Sequence, residues 1–179
     1  MIERVVPSLT TAALTLRQWR NDEDDVATVL LASNDPAVNR YSPSISKVSS
    51  VADARAWLFA RMEPDRIDWA IEVEDRTVGR LGLAWIRDET SEAEIGYWLL
   101  PHARGRGTLT SAVRLMTRWA FGSGGFGRLE IRHLLDNDAS CKVAERCGFL
   151  VEGVQRGALE EHGKRHDLHL HGKLATDPA

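Results

Sequence analysis

Only two cysteines, Cys141 and Cys147, occur in 179 residues. They fall six apart in one expected helix, about 240° around its axis, so they cannot bridge to each other. That excludes a disulfide scaffold and leaves two reduced thiols. Neither stands beside an evident base, which argues against a catalytic cysteine. No apolar run approaches the ~20 residues of a membrane span. The opening Met-Ile-Glu-Arg-Val-Val-Pro has no signal-peptide apolar core. The expected compartment is therefore the cytoplasm, with no membrane partner. A basic excess is missing too: net charge is −3, from 23 Lys and Arg against 26 Asp and Glu. General nucleic-acid binders usually show the opposite balance, so no nucleic-acid partner is expected. Repeats, low-complexity tracts and linkers are also absent. One domain over residues 1–179 is expected, with about 175–179 as a frayed tail.

What is present centres on Glu94 to Ser111, EIGYWLLPHARGRGTLTS. Ile95, Tyr97 and Leu99 alternate with Glu94, Gly96 and Trp98, the period of a strand. Pro101 ends it because proline cannot donate a ladder hydrogen bond. Arg104-Gly105-Arg106-Gly107 then leads through Thr108 into a segment of helical spacing. A helix start preceded by glycines offers unpaired backbone N–H groups and the positive end of the helix dipole. With two arginines beside it, the stretch reads as an anion site suited to phosphates. An ordinary charged loop has equal standing on this stretch alone. No Lys follows the second glycine, so it is not a Walker loop, and it lacks the full GxGxxG of a dinucleotide fingerprint.

The rest of the chain alternates helical and strand patterns. Ala13–Trp19 reads as a first strand, followed by a helix beginning in the acidic run Asn21–Asp25. Asp35-Pro36 breaks that helix, and Tyr41–Ser44 is a loop. A second helix is capped by Ser49 or Ser50, carries Ala54, Trp57, Leu58 and Met62 on its stripe, and closes at Pro64. The segments around Trp69–Val73 and Val78–Ile86 join the Glu94 strand in an antiparallel meander. The helix after the phosphate loop buries Leu109, Ala112, Val113, Met116, Trp119 and Ala120. Leu129, Ile131 and His133 form a strand that crosses over this helix, which allows a parallel pairing with the Glu94 strand. Asn137 caps a last helix, buried along Ala139, Val143, Ala144 and Cys147, and Gly148 ends it. Phe149–Ala158 and His166–Leu174 form a closing hairpin.

Taken together, these segments resemble the GCN5-related N-acetyltransferase (GNAT) family. Arg104 and Gly107 match its acyl-CoA pyrophosphate loop, roughly Arg/Gln-x-x-Gly-x-Gly/Ala, while Leu109 departs from the final small residue. Asn137-x-x-Ser140-x-x-x-Ala144-Glu145-x-x-Gly148-Phe149 resembles the family's second signature. Asp35-Pro36-x-Val38-x-Arg40-Tyr41, the Glu94–Leu99 strand and His166-Asp167 are similar to the branch that acetylates N-termini of ribosomal proteins. The resemblance implies an α+β fold with a central mixed, mostly antiparallel sheet and helices on both faces. It also implies a splay between the Glu94 strand and the Leu129 strand, the fourth and fifth of the family order. Acetyl-CoA is the implied acyl donor. Its pantetheine arm would pair along Tyr97, Trp98 and Leu99. Its pyrophosphate would lie on Arg104, Gly105, Arg106, Gly107 and Thr108, and Asn137 would bond the pantetheine or acyl region.

Acyl transfer to an amine needs a base to take a proton and an acid to meet the departing thiolate. Glu94 is the implied base, although a strand Glu facing solvent is more often merely solvated. Many members use a Tyr as acid on the last strand, where this chain has His171. Ser140 aligns with a helix serine given the same role in others, but a helix-start hydrogen-bonding residue is an even alternative. His162, His166, His169 and His171 show no pattern of three ligands with a carboxylate, so no metal is expected. The implied acceptor is an N-terminal α-amine. The alternatives are a small-molecule amine (antibiotic, amino acid or polyamine) or an acyl-CoA-binding module without turnover. Either a monomer or a homodimer suits the chain.

Overall fold

Helix starts follow the side chains that precede them. In a computed structural model describing residues 6–62, 67–161 and 163–178, Asp22 Oδ1 accepts the Asp25 N–H at 2.9 Å and opens α1 (Glu23–Ser33). Asp35 does the same for α2 (Pro36–Tyr41), accepting the Val38 N–H at 2.8 Å. This helix lies where a break was expected. Asp-Pro also starts a helix, because proline at the first helical position loses no hydrogen bond and presets φ. Ser50 caps α3 (Val51–Phe59). Met62, expected on its buried stripe, lies beyond its end and is exposed, and the expected stop at Pro64 lies outside the described residues.

The strands are β1 (Leu9–Thr10), β2 (Thr15–Arg17), β3 (Ile67–Val73), β4 (Arg76–Arg87), β5 (Glu92–Leu99), β6 (Arg128–Leu134), β7 (Leu150–Glu161) and β8 (Lys164–Leu174). Two more helices, α4 (Thr108–Phe121) and α5 (Asp138–Arg146), flank β6 in sequence. Among the described residues the strands form one eight-stranded sheet in the order β1-β2-β3-β4-β5-β6-β8-β7. The expected α+β class with a mixed, mostly antiparallel sheet is therefore what the chain adopts. β5 and β6 pair in parallel, and their ladder has three rungs: Glu92–Arg128, Ala93–Leu129 and Glu94–Glu130. β5 continues to Leu99 and β6 to Leu134 past the last rung, in keeping with the expected splay. β8 inserts between β6 and β7, so the closing hairpin contributes its second strand to the interior of the sheet.

The chain divides into two compact units, Met1–Ala84 with Gly96–Met116, and Trp85–Ile95 with Thr117–Ala179. In the first, Trp19, Trp57 and Trp98 pack with Val26, Val29, Ile45 and Leu58 into a buried cluster. Trp19 meets Trp57 edge-on at 5.9 Å between ring centroids, an arrangement aromatic quadrupoles favour. Arg17 is buried in the same unit, bonded to Asp25, Glu72 and Thr77. In the second, Leu129, Ile131, Ala144 and Phe149 are buried. Trp119, placed on the buried stripe of α4 by its spacing, is half-buried and meets Phe126 at a tilt, with ring centroids 6.4 Å apart. Gly148 ends α5 at φ +78°, with the Phe149 N–H returning to Ala144 O at 3.0 Å. The tail expected to fray forms a turn over residues 175–178. Its Ala175 N–H donates to Gly127 O at 2.9 Å, and Asp177 Oδ2 accepts the Leu174 N–H.

Candidate active site

In the first unit the site is built on the end of β5 and the loop after it. Strand residues point their backbone groups alternately to the two edges. The Leu100 N–H donates to Val78 O on β4 at 2.9 Å, so Trp98 shares that edge and Tyr97 and Leu99 present theirs on the other. Gly79 allows this approach, since a Cβ there would overlap the Trp98 carbonyl and the Leu99 side chain. Trp98 and Leu99 are buried, so their side chains belong to the core and only backbone remains for a ligand.

Arg104 is committed within the protein. Its Nε donates to Leu99 O at 3.0 Å and its Nη2 to Asp35 Oδ1 at 2.7 Å. Burial alone would raise the Asp35 carboxyl, but Arg104 and the α2 amides outweigh it and hold the pKa below the usual value. Arg104 thus ties the N-cap of α2 to the end of β5. Arg106 is exposed and makes no ion pair with a described residue. Gly105 and Gly107 sit at φ +75° and +80°, conformations that favour glycine, and nothing lies within 4 Å of a Cβ built on either. Thr108 opens α4, with the Ser111 N–H donating to Gly107 O at 3.0 Å. Glycine backbone, a helix N-terminus and one uncommitted guanidinium therefore border open space.

In the second unit, Glu94 does not face solvent as expected. It is largely buried and paired with Arg132, whose Nε donates to Glu94 Oε2 at 2.8 Å and whose Nη2 reaches the same oxygen. Desolvation raises the Glu94 pKa and dominates over the opposing pull of Arg132. A raised carboxylate is the stronger base. Asn137 caps α5 as expected, its Oδ1 accepting the Ser140 N–H at 3.1 Å. The register of α5 buries Ser140, whereas Ala139, expected inside, is exposed.

His171 is fully buried on β8, its Nε2 3.2 Å from Nε2 of His133 on β6. Desolvation lowers the pKa of both imidazoles, and their mutual proximity adds to the effect on His171. His169 and Cys141 complete this group, with Cys141 Sγ 3.9 Å from His169 Nδ1. The structure gathers a set that the sequence did not single out: His133, Cys141, His169 and His171 bring their ligand atoms within 4.8 Å of one another. His133 and Cys141 were missed because they lie on β6 and α5. The signal was the shared face of His169 and His171, to which the pairing of His133 with His169 adds a neighbour. His162 lies outside the described residues.

A family model described as an acetyltransferase (GNAT) domain matches residues 13–150. The uncharacterised N-acetyltransferase YoaA of Bacillus subtilis (strain 168) is 29% identical over 171 residues, 92% of this chain and 95% of that protein. The ribosomal-protein-serine acetyltransferase of Escherichia coli (strain K12) is 31% identical over 101 residues, 56% of each chain. Among solved structures, RimL, a ribosomal L7/L12 α-N-protein acetyltransferase in complex with coenzyme A, superposes with a TM-score of 0.84. Its identity is 22%, with 96% of this chain and 98% of that chain covered.

Proposed function

Because the chain belongs to the acetyltransferase (GNAT) domain family and is an acyltransferase of that family, we propose that it uses acetyl-CoA to acetylate the N-terminal α-amine of a protein or peptide. The observation that carries the donor assignment is the Gly105–Gly107 loop. Its left-handed glycines and the first turn of α4 line open space beside an uncommitted Arg106, as a pyrophosphate requires. The acceptor reading draws on the similarity to the ribosomal-protein-serine acetyltransferase.

In this reading the pyrophosphate lies on the amides of Gly105, Gly107 and Thr108, with Arg106 supplying charge. Arg104 holds the loop through Asp35 and Leu99 O. The pantetheine pairs with the backbone edge of Tyr97 and Leu99, and Asn137 adds a bond near the acyl end. Glu94 takes a proton from the ammonium, directly or through water, because only the neutral amine has a lone pair. The amine nitrogen attacks the thioester carbonyl and a strand N–H stabilises the tetrahedral oxyanion. The C–S bond then breaks, the thiolate takes a proton from Ser140 Oγ, and the seryl oxygen regains one, directly or through water, from the proton that the attacking nitrogen sheds as the amide forms. His171, at the position of the usual family Tyr, is the competing donor. Ser140→Ala should lower kcat about 10²–10⁴-fold with little change in acetyl-CoA affinity. An equal loss in His171→Ala alone would move the acid role to the imidazole.

Thiol release in the presence of acetyl-CoA tests the acceptor. Peptides with small N-terminal residues should turn over, while aminoglycosides, free amino acids and polyamines should not. Turnover confined to the small amines would replace the peptide reading. Acetyl-CoA binding with no turnover on any amine would leave a binding module.

A further inference from the structure

Of the four side chains gathered where β6, β8 and α5 meet, the acetyl-transfer reading uses only His171, as the competing donor, and leaves the group as a whole without a role. His133 and His169 are directly opposed across the β6–β8 ladder, and His171 follows two residues after His169. Cys141 arrives from the first turns of α5. Ring centroids lie 5.4 Å apart for His133 and His169, 5.2 Å for His133 and His171, and 4.6 Å for His169 and His171.

The hydrogen bonding of this group is incomplete without a further atom. His133 Nδ1 lies 2.8 Å from Leu134 O. A carbonyl only accepts, so Nδ1 carries the proton and Nε2 of the neutral ring presents a lone pair. His171 Nε2 faces that lone pair at 3.2 Å. If His171 Nε2 carries its proton, its Nδ1 is a bare acceptor, buried beside the Phe149 backbone without a donor in hydrogen-bonding geometry. If the proton sits on Nδ1 instead, two lone pairs point at each other. Either tautomer leaves a buried nitrogen unsatisfied in a ring with no exposed surface.

We propose that His133, Cys141, His169 and His171 form a binding site for a borderline divalent cation of the zinc type. A cation between the two Nε2 atoms accepts both lone pairs and leaves Nδ1–H as the natural tautomer on each ring. The bond from His133 Nδ1 to Leu134 O is the kind of outer contact that orients a ligating imidazole. Tetrahedral zinc, with Zn–N near 2.0–2.1 Å and Zn–S near 2.3 Å, places nitrogens about 3.3 Å apart and nitrogen and sulfur about 3.6 Å apart. The observed 3.2 Å and 3.9 Å are close to these. All four ligand atoms lie within 4.8 Å of one another, so the wider pairs have to shorten on binding, and Cys141 and His169 are the two half-buried members of the set. Three imidazoles and a thiolate suit zinc better than the oxygen-seeking magnesium or calcium. Asp138 and Glu145, which act electrostatically on these rings, supply favourable negative charge. Binding releases the Cys141 thiol proton to solvent, and the metal takes the thiolate and three neutral imidazoles, a net charge of +1.

The site does not rest on the acetyl-transfer reading, and its test needs no substrate. Tag-free protein is stripped with EDTA, dialysed, and titrated with Zn(II) by calorimetry and with Co(II) by absorption. One equivalent should bind per chain, and the Co(II) form should show tetrahedral d–d bands and a thiolate-to-cobalt charge-transfer band. Cys141→Ser should abolish the charge-transfer band, and it and His169→Gln should each weaken Zn(II) at least tenfold. Both positions are half-buried, and thermal melts of the two variants check that they fold. Binding of less than a tenth of an equivalent to the wild type would overturn the site. So would affinity unchanged in both variants, the mark of scattered surface histidines.

Discussion

At the scale of single residues, burial decides which charges are structural and which are spare. Asp25 has no exposed surface and accepts from Arg17, Thr77 and the Arg20 and Asn21 amides. Burial by itself would raise its pKa, but Arg17, the Arg20 amide and Thr77 outweigh that and hold it below the usual value. A depressed carboxylate stabilises the fold fully above its ordinary unfolded pKa of about 3.9. That contribution is lost as pH falls through the lower folded value. Asp25→Ala should cost about 3 kcal/mol near neutral pH, because it strips one partner from the buried Arg17 while Glu72 remains. The difference from wild type should shrink in acid, and urea melts at pH 7 and at pH 3 check both statements. The two loop arginines differ in the same way. Arg106→Ala should weaken acetyl-CoA by a charge-assisted contact, about 1.5–3 kcal/mol, with the melting temperature unchanged. Arg104→Ala should lower the melting temperature as well, since it frees Leu99 O and Asp35. Calorimetry beside thermal melts separates the two, and equal behaviour in both variants would contradict the division of labour. Neither Asp25's burial nor Arg104's commitment was legible in the sequence, because each depends on partners far along the chain.

At the scale of elements, the proposed donor site makes one device of the glycine loop and the α4 N-terminus. Gly107 sits at φ +80° with open space where a side chain would go. Gly107→Val therefore meets no protein atom, but it forces a β-branched residue into a left-handed conformation and fills the approach to the amides. Acetyl-CoA affinity should fall at least tenfold, and retention of wild-type affinity would remove the loop from the donor site. This element was readable beforehand, since positive-φ glycines before a helical stripe are a local feature. The Asn137 cap and the Gly148 stop were readable for the same reason. Long-range register was not. Spacing gave α5 the wrong inward residue at its first turn, Ala139 for Ser140, because one turn of a polar helix carries too few apolar residues to fix its phase. The histidine cluster depends on β8 pairing with β6 ahead of β7, an order no hairpin signal encodes. The α2 helix was hidden by a proline that reads as a stop and also serves as a start.

At the scale of the whole molecule, the order of strands and helices had been visible as a succession of periods, and the eight-stranded sheet realises it. The parallel step from β5 to β6 follows from the crossover through α4, as chain connectivity demands. What the whole molecule does is tested most directly by one peptide that carries both a small N-terminal residue with a free α-amine and an internal lysine. Incubated with the protein and acetyl-CoA and then sequenced by tandem mass spectrometry, it should gain one acetyl group on the α-amine and none on the lysine. Acetylation of the lysine alone, or no acetylation where small-molecule amines turn over, would contradict the account.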